Sequence, residues 1–400
     1  MPLTDSNLES DKKIRTRRVH YISGFDPRGA AYYHRLFREE ACKQGCLNKA
    51  QIHIGSRSRL NASVTRWEVS SKWDGEPVHT DYQFMHWDDL VRRHWEKKAL
   101  PLLVQGMSLY LRYIGCGALS RVRQFAPSAA LSGIFPLLFY IVCIACAFGA
   151  AMLAFGLAIW LGVALWGASC SMLLVFGLVL FFAWSLAERL GVLWLLRTYL
   201  FVFRWGNSQA SVLEQRAAEF AAHILKEQKR APVDEVLLVG HSVGTMVAVQ
   251  VAALMASAGN LKAGTLEFSL ITLGQCIPFL SFIPAASEFR KSLESVSWSS
   301  HLSWTDVTIP PDPLCFYRVD PLSSLEAGCV GSNRPRLAVA RIFRMFSGAT
   351  YSKMRWNKLR IHFQYLMASE SPADYDFFLL TCGPLSAEKS LSACLIQQRS

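Results

Sequence analysis

Across residues 124–187 the chain has no Asp, Glu, Lys, Arg or His, a 64-residue uncharged run. That absence excludes an ordinary soluble core as the home of the segment. A buried helix has no need of such length, whereas one bilayer span takes about 20 residues. The run predicts two transmembrane helices with both flanks on the same side. The turn is expected within residues 160–171, because Trp160 and Trp166 suit an interfacial belt and Gly167-Ala168-Ser169 interrupts the apolar residues. A pair of helices without one ionisable side chain offers no charged pathway, which argues against a channel or transporter.

Residues 1–17 lack an apolar stretch, so no secretory signal is expected there, only a polar and loosely ordered leader. Acidic residues are scarce as well: 30 Asp and Glu stand against 42 Lys and Arg, a formal net charge of +12. No nucleic-acid motif accompanies that charge. With a membrane hairpin present, attraction to acidic headgroups is the simpler account, and no nucleic-acid partner is expected. Arg112, Arg121 and Arg123 precede the uncharged run, Arg189, Arg197 and Arg204 follow it, and its turn has neither Lys nor Arg. The positive-inside bias then predicts an integral protein of the inner or plasma membrane with both termini cytoplasmic. The eleven cysteines show no second pair at zinc-ligand spacing beside Cys42 and Cys46, and in a cytoplasmic setting they are expected as free thiols, with no metal site.

What the sequence does contain is a strong local pattern at residues 235–250, EVLLVGHSVGTMVAVQ. Val236–Val239 suits a strand buried on both faces, and an apolar helix of small residues follows from Val243. Between them lies Gly240-His241-Ser242-Val243-Gly244, a G-x-S-x-G pentad in the strand–turn–helix context that the motif requires. Such a turn lifts the Ser242 hydroxyl clear of the sheet, and the Val243 N–H at the helix start can face an oxyanion formed by attack from Ser242. A first strand at residues 19–23 runs into Gly24-Phe25-Asp26-Pro27-Arg28-Gly29 and a helix over residues 30–43, a second strand–loop–helix unit. Further strands are expected at residues 63–70, 81–87, 266–273, 304–309 and 337–346, and a helix from Ser208 carries an apolar face of Val212, Ala217, Phe220, Ala221 and Ile224.

The pentad and its flanks resemble the nucleophile elbow of the α/β-hydrolase family. The resemblance implies an α/β fold, a mostly parallel sheet flanked by helices, here interrupted by the transmembrane hairpin. It also implies the chain order Ser, acid, His. Only His301 and His362 follow Ser242, and an acid at the end of the 304–309 strand lies beyond His301, which leaves His362 as base in a loop after the last strand. Asp312, just past that strand in Pro310-Pro311-Asp312-Pro313, is the preferred acid, Asp306 inside the strand is the second, and Asp320 repeats the Asp-Pro-Leu pattern. The loop after the first strand resembles the one that supplies the second oxyanion donor, which places that role at Phe25 or a close neighbour. The expected organisation is a leader at 1–17, the first part of the hydrolase domain at 18–123, the hairpin at 124–187, an interfacial helix at 188–205 and the triad-bearing part at 206–400. The expected function is a membrane-anchored serine hydrolase without metal or cofactor, acting on a lipid-like or acylated substrate. A non-catalytic scaffold and an acyltransferase with the same triad are the alternatives.

Overall fold

The computed structural model describes residues 13–207, 211–258 and 267–396. Residues 1–12 of the leader, the expected helix start at Ser208 and the expected strand start at Leu266 lie outside them. The chain forms two compact units, one of Met1–Arg93 with Gly206–Ser400 and the other of His94–Trp205. The excursion away from the first unit thus begins after Arg93, well before the uncharged run.

In the first unit, β1 (Thr16–Ile22) leads through a tight loop into α1 (Ala30–Asn48). Short strands β2 (Gln51–Ile54) and β3 (Ser58–Asn61) precede the long hairpin of β4 (Val64–Trp73) and β5 (Glu76–Met85). The hairpin turns on Asp74-Gly75, at φ +46° and +90°. Positive φ at both positions marks the two-residue turn whose twist matches that of paired strands. After α2 (Asp88–Arg93) the chain leaves for the second unit, made of α3 (Ala99–Gly115), α4 (Ala118–Phe125), α5 (Pro127–Trp160), α6 (Leu165–Arg189) and α7 (Val192–Gly206). It returns with α8 (Ser211–Arg230), β6 (Glu235–His241), α9 (Gly244–Ser257) and β7 (Glu267–Leu273). There follow α10 (Ile277–Ser281), α11 (Ser287–Ser297), β8 (Ser303–Thr308) and β9 (Arg336–Val339). Short helices end the unit: α12 (Ile342–Met345), α13 (Gly348–Met354), α14 (Lys358–Phe363) and α15 (Phe377–Cys382).

The strands form one sheet in the order β2-β4-β5-β1-β6-β7-β8-β9, with β3 also on β4. From β5 to β9 every neighbour is parallel, whereas β2, β3 and β4 join antiparallel at one edge. The sheet is therefore mostly parallel but mixed, because a two-residue connection between β4 and β5 permits only antiparallel pairing. From β1 the chain moves through α1 toward the β5 side, and from β6 it moves through α9 to β7 on the other side. The loops after β1 and β6 therefore part at the carboxyl ends of adjacent parallel strands, the switch point at which open α/β sheets form their crevice. One face of the sheet packs Val19, Tyr21, Leu237, Val239, Ile271 and Val307 against Tyr33 and Phe37 of α1 and Phe377 and Phe378 of α15. On the other face α9 lies between β6, β7 and the helices α8 and α11, and it is buried almost all round.

Several local expectations are corrected. The alternation at residues 337–346 is strand only through Val339, and the rest turns into α12. His362 sits within α14 and not in a loop, since the Asn357 side chain accepts the Arg360 N–H at 2.9 Å and starts a helix there. Val212 is exposed on α8, and its neighbour Leu213 takes the buried position.

The second unit has two helices long and apolar enough to cross a membrane. With 34 and 25 residues, α5 and α6 run about 51 and 37 Å at 1.5 Å per residue, against roughly 30 Å of hydrocarbon. Only 11% and 6% of their apolar windows are buried, and Phe148, Leu153, Leu173, Phe181 and Phe182 are exposed. A helix in a soluble core would show the reverse. The turn is confined to residues 161–164, where Gly162 at φ +77° ends α5. Trp166 and Gly167-Ala168-Ser169 lie inside α6, since glycine and alanine do not break so apolar a helix. In α7, expected at the interface, Val192, Leu193, Leu196, Phe201 and Val202 are buried.

Candidate active site

Every residue of β6 is buried, and the strand ends directly in the pentad. Ser242 adopts φ +56°, a left-handed conformation that costs a non-glycine residue about 1–2 kcal/mol. The surroundings hold it there. Its N–H donates to the Leu273 carbonyl at the end of β7 (2.9 Å), and its carbonyl accepts from the Thr245 N–H (3.0 Å) and hydroxyl (2.6 Å). The two glycines of the pentad are required by contact: a Cβ on Gly244 would lie 2.4 Å from the carbonyl oxygens of Ile22 and Ser23, and one on Gly240 would lie 2.7 Å from the Gly244 carbonyl. The elbow is thus pressed against the end of β1.

That strand end brings the other loop into place. A Cβ on Gly24 would stand 3.0 Å from Ser242 Cβ and 3.5 Å from its Oγ, so the Ser23–Phe25 backbone borders the nucleophile candidate. The loop is fixed by the Trp87 Nε1–H donating to the Ser23 carbonyl (2.8 Å) and by Asp26, which accepts from Arg28 Nη2 (2.7 Å) and the Tyr33 hydroxyl (2.8 Å). Phe25 itself is buried. Val243 precedes the first residue of α9, where a backbone N–H has no intrahelical acceptor.

His362 and Asp312 are brought together from α14 and from the loop after β8. His362 Nδ1–H donates to Asp312 Oδ2 at 2.8 Å, with both side chains buried. The same oxygen accepts from the Tyr365 hydroxyl (3.2 Å), and Oδ1 accepts from the Leu314 N–H (2.9 Å). Burial alone pushes the Asp312 carboxyl up, but the His362 charge and these donors outweigh it and hold the group below its ordinary value. Asp312 is therefore ionised, and with Nδ1 committed to it, Nε2 is the His362 nitrogen that can accept a proton. Asp306 is not part of this pair. It lies inside β8, takes a hydrogen bond from the Thr272 hydroxyl (2.6 Å), and burial drives its carboxyl well above the ordinary range.

Residues without any motif complete the site. His241, next to Ser242, donates from Nε2 to the His362 carbonyl (2.9 Å), and the two rings lie 4.9 Å apart. Burial above all, and then the His362 charge, lowers the His241 imidazole to about 3, so it stays neutral and cannot compete as a base. Cys276 shares a hydrogen bond with the Ser242 side chain, yet burial holds its thiol far above the ordinary range, which rules it out as a thiolate. Only the wild-card position of the pentad hinted at His241, and nothing in the sequence hinted at Tyr365 or Cys276. Ser242 itself is 8% exposed, a nearly closed position for a reacting group. No protein-family model, no curated protein and no solved structure matches this chain.

Proposed function

We infer that the chain is a membrane-anchored serine hydrolase that cleaves an ester, thioester or amide through an acyl-enzyme on Ser242. The observation that carries this reading is the buried His362–Asp312 pair, joined through the His362 carbonyl to His241, the residue before Ser242, which is held at φ +56° at the sheet's switch point. In this reading Ser242 Oγ attacks the carbonyl carbon while His362 Nε2 takes its proton, and the Asp312 carboxylate stabilises the imidazolium. The N–H groups of Val243 and Phe25 receive the oxyanion, each worth about 10²–10³ in rate. His362 then protonates the leaving group. Water, deprotonated by the same nitrogen, releases the acyl group and restores Ser242. Each step is performed by this chain's side chains and backbone, with no metal or organic cofactor.

The exposed apolar surfaces of α5 and α6 support a membrane anchor, and the arginines on both flanks support cytoplasmic termini. Tethering to a bilayer supports a lipid-like or acylated substrate and no nucleic acid. The test is turnover of ester, thioester and amide series of graded acyl length by the detergent-solubilised full chain. Release of acyl product from at least one series, abolished in Ser242→Ala, is the expected result. Turnover unchanged by that substitution, or none from any series, removes the reading.

A further inference from the structure

A second concave site lies in the first unit, between α1 and the β2–β3 edge of the sheet. It is a cleft of about 860 Å³ whose wall includes Arg35 and Arg38 from α1 and Arg57 and Arg59 from the β2–β3 connection and β3. Arg35 and Arg38 are three apart, so both project from one helix face. Arg59 is held by the backbone carbonyls of Asn61 and Ala62. Among the described residues no carboxylate pairs with Arg35, Arg38 or Arg57, although most other arginines on this unit have an acidic partner. Two of these charges, on Arg38 and Arg57, converge. Burial above all, with added contributions from Arg57 and Arg38, holds the neighbouring His34 imidazole below its ordinary value, so both guanidiniums act on one ring. His34 therefore stays neutral and donates from Nε2 to the Gly55 carbonyl (2.9 Å), which fixes the loop that carries Ser56 and Arg57.

Four guanidiniums around one cleft repel each other unless an anion sits among them, and the planar fork of arginine matches phosphate oxygens two at a time. Among the described residues no Phe, Tyr or Trp lines the cleft, and its one ring, His34, is tied to the Gly55 carbonyl. We propose that the Arg35–Arg38–Arg57–Arg59 cleft binds a terminal phosphate group, a monoester dianion and not a zwitterionic diester, supplied by a lipid headgroup or by a soluble phosphate compound. The site is separate from Ser242 and independent of the reaction assigned there.

The test uses the full chain in a non-ionic detergent and three probes: inorganic phosphate, dihexanoyl phosphatidic acid and dihexanoyl phosphatidylcholine. Phosphatidic acid is expected to bind, to be displaced by inorganic phosphate, and to weaken as salt is raised. Binding at least tenfold tighter than inorganic phosphate assigns the source to a lipid headgroup, and equal affinity assigns it to soluble phosphate. In Arg38→Gln/Arg57→Gln the affinity should fall at least about tenfold, while the melting temperature and the activity of the Ser242 site stay as in the parent. Arg57→Gln alone, an exposed single change, should give a smaller loss in the same direction. Failure of both phosphate probes to bind, phosphatidylcholine binding as tightly as phosphatidic acid, or variants that bind as the parent does would overturn the proposal.

Discussion

In Asp312→Asn the two oxygen positions of the carboxylate are not equivalent, and the structure says which one becomes nitrogen. Oδ1 accepts the Leu314 N–H at 2.9 Å, so the amide carbonyl has to remain there. The NH₂ group then falls at the Oδ2 position, facing His362 Nδ1 at 2.8 Å and the Tyr365 hydroxyl at 3.2 Å. Two donors cannot face each other, so His362 surrenders its Nδ1 proton and carries one on Nε2 instead. A protonated Nε2 cannot take the proton of Ser242. The expected loss is about 10⁴-fold in turnover, or about 5.4 kcal/mol at 1.36 kcal/mol per decade. Side-chain volume and the Leu314 contact survive, so the fold should persist. Initial rates on a short-chain ester, rate constants for fluorophosphonate labelling and a melting curve on the same preparation decide the matter. Turnover within tenfold of the parent in a folded variant would refute the assignment of Asp312 as the group that orients His362.

Asp306→Asn should leave turnover nearly unchanged, because Asp306 touches Thr272 and not His362. Its raised carboxyl favours the folded state below the ordinary value of about 3.9, and that contribution is lost as pH rises toward the folded value. The asparagine variant should therefore melt no lower than the parent at pH 8, and a marked destabilisation there would contradict the upward shift of Asp306. Glu235→Ala strands the Arg17 guanidinium, whose Nε donates to Glu235 Oε2 at 2.6 Å with both side chains fully buried. A loss of about 3–5 kcal/mol in denaturant unfolding is expected, and parent-like stability would show that the pair does not hold β1 to β6. For topology, a cysteine placed at residues 161–164 in a chain without native cysteines should react with an impermeant thiol reagent on intact cells, and one near residue 207 should not. The opposite pattern would place the α/β unit outside.

What was legible in the sequence was what local chemistry determines. The run Val236–Val239, the two glycines around Ser242 and the small apolar residues after it specify strand, elbow and helix within sixteen residues, and β6, the φ of +56° and α9 lie where those signals put them. The 64 uncharged residues marked α5 and α6 equally well, though Gly162, and not the tryptophans, sets the turn. Features decided by partners far along the chain were not legible. The antiparallel edge depends on the Asp74-Gly75 hairpin and on short polar strands such as β3, with no buried face to show a period. The strand-like alternation at residues 337–346 is cut short by α12, and a helix of only six residues around His362 has too few turns to show periodicity. Tyr365 reaches Asp312 across 53 residues and His241 reaches His362 across 121, separations that no local pattern encodes.

The most direct test of the central claim is peptide mapping by mass spectrometry after the solubilised full chain has reacted with a fluorophosphonate. The account predicts one phosphonyl adduct, on Ser242, approaching one per chain and absent from Ser242→Ala, with labelling strongly slowed in His362→Ala. No adduct on a folded chain, or an adduct on another residue that survives Ser242→Ala, would contradict it.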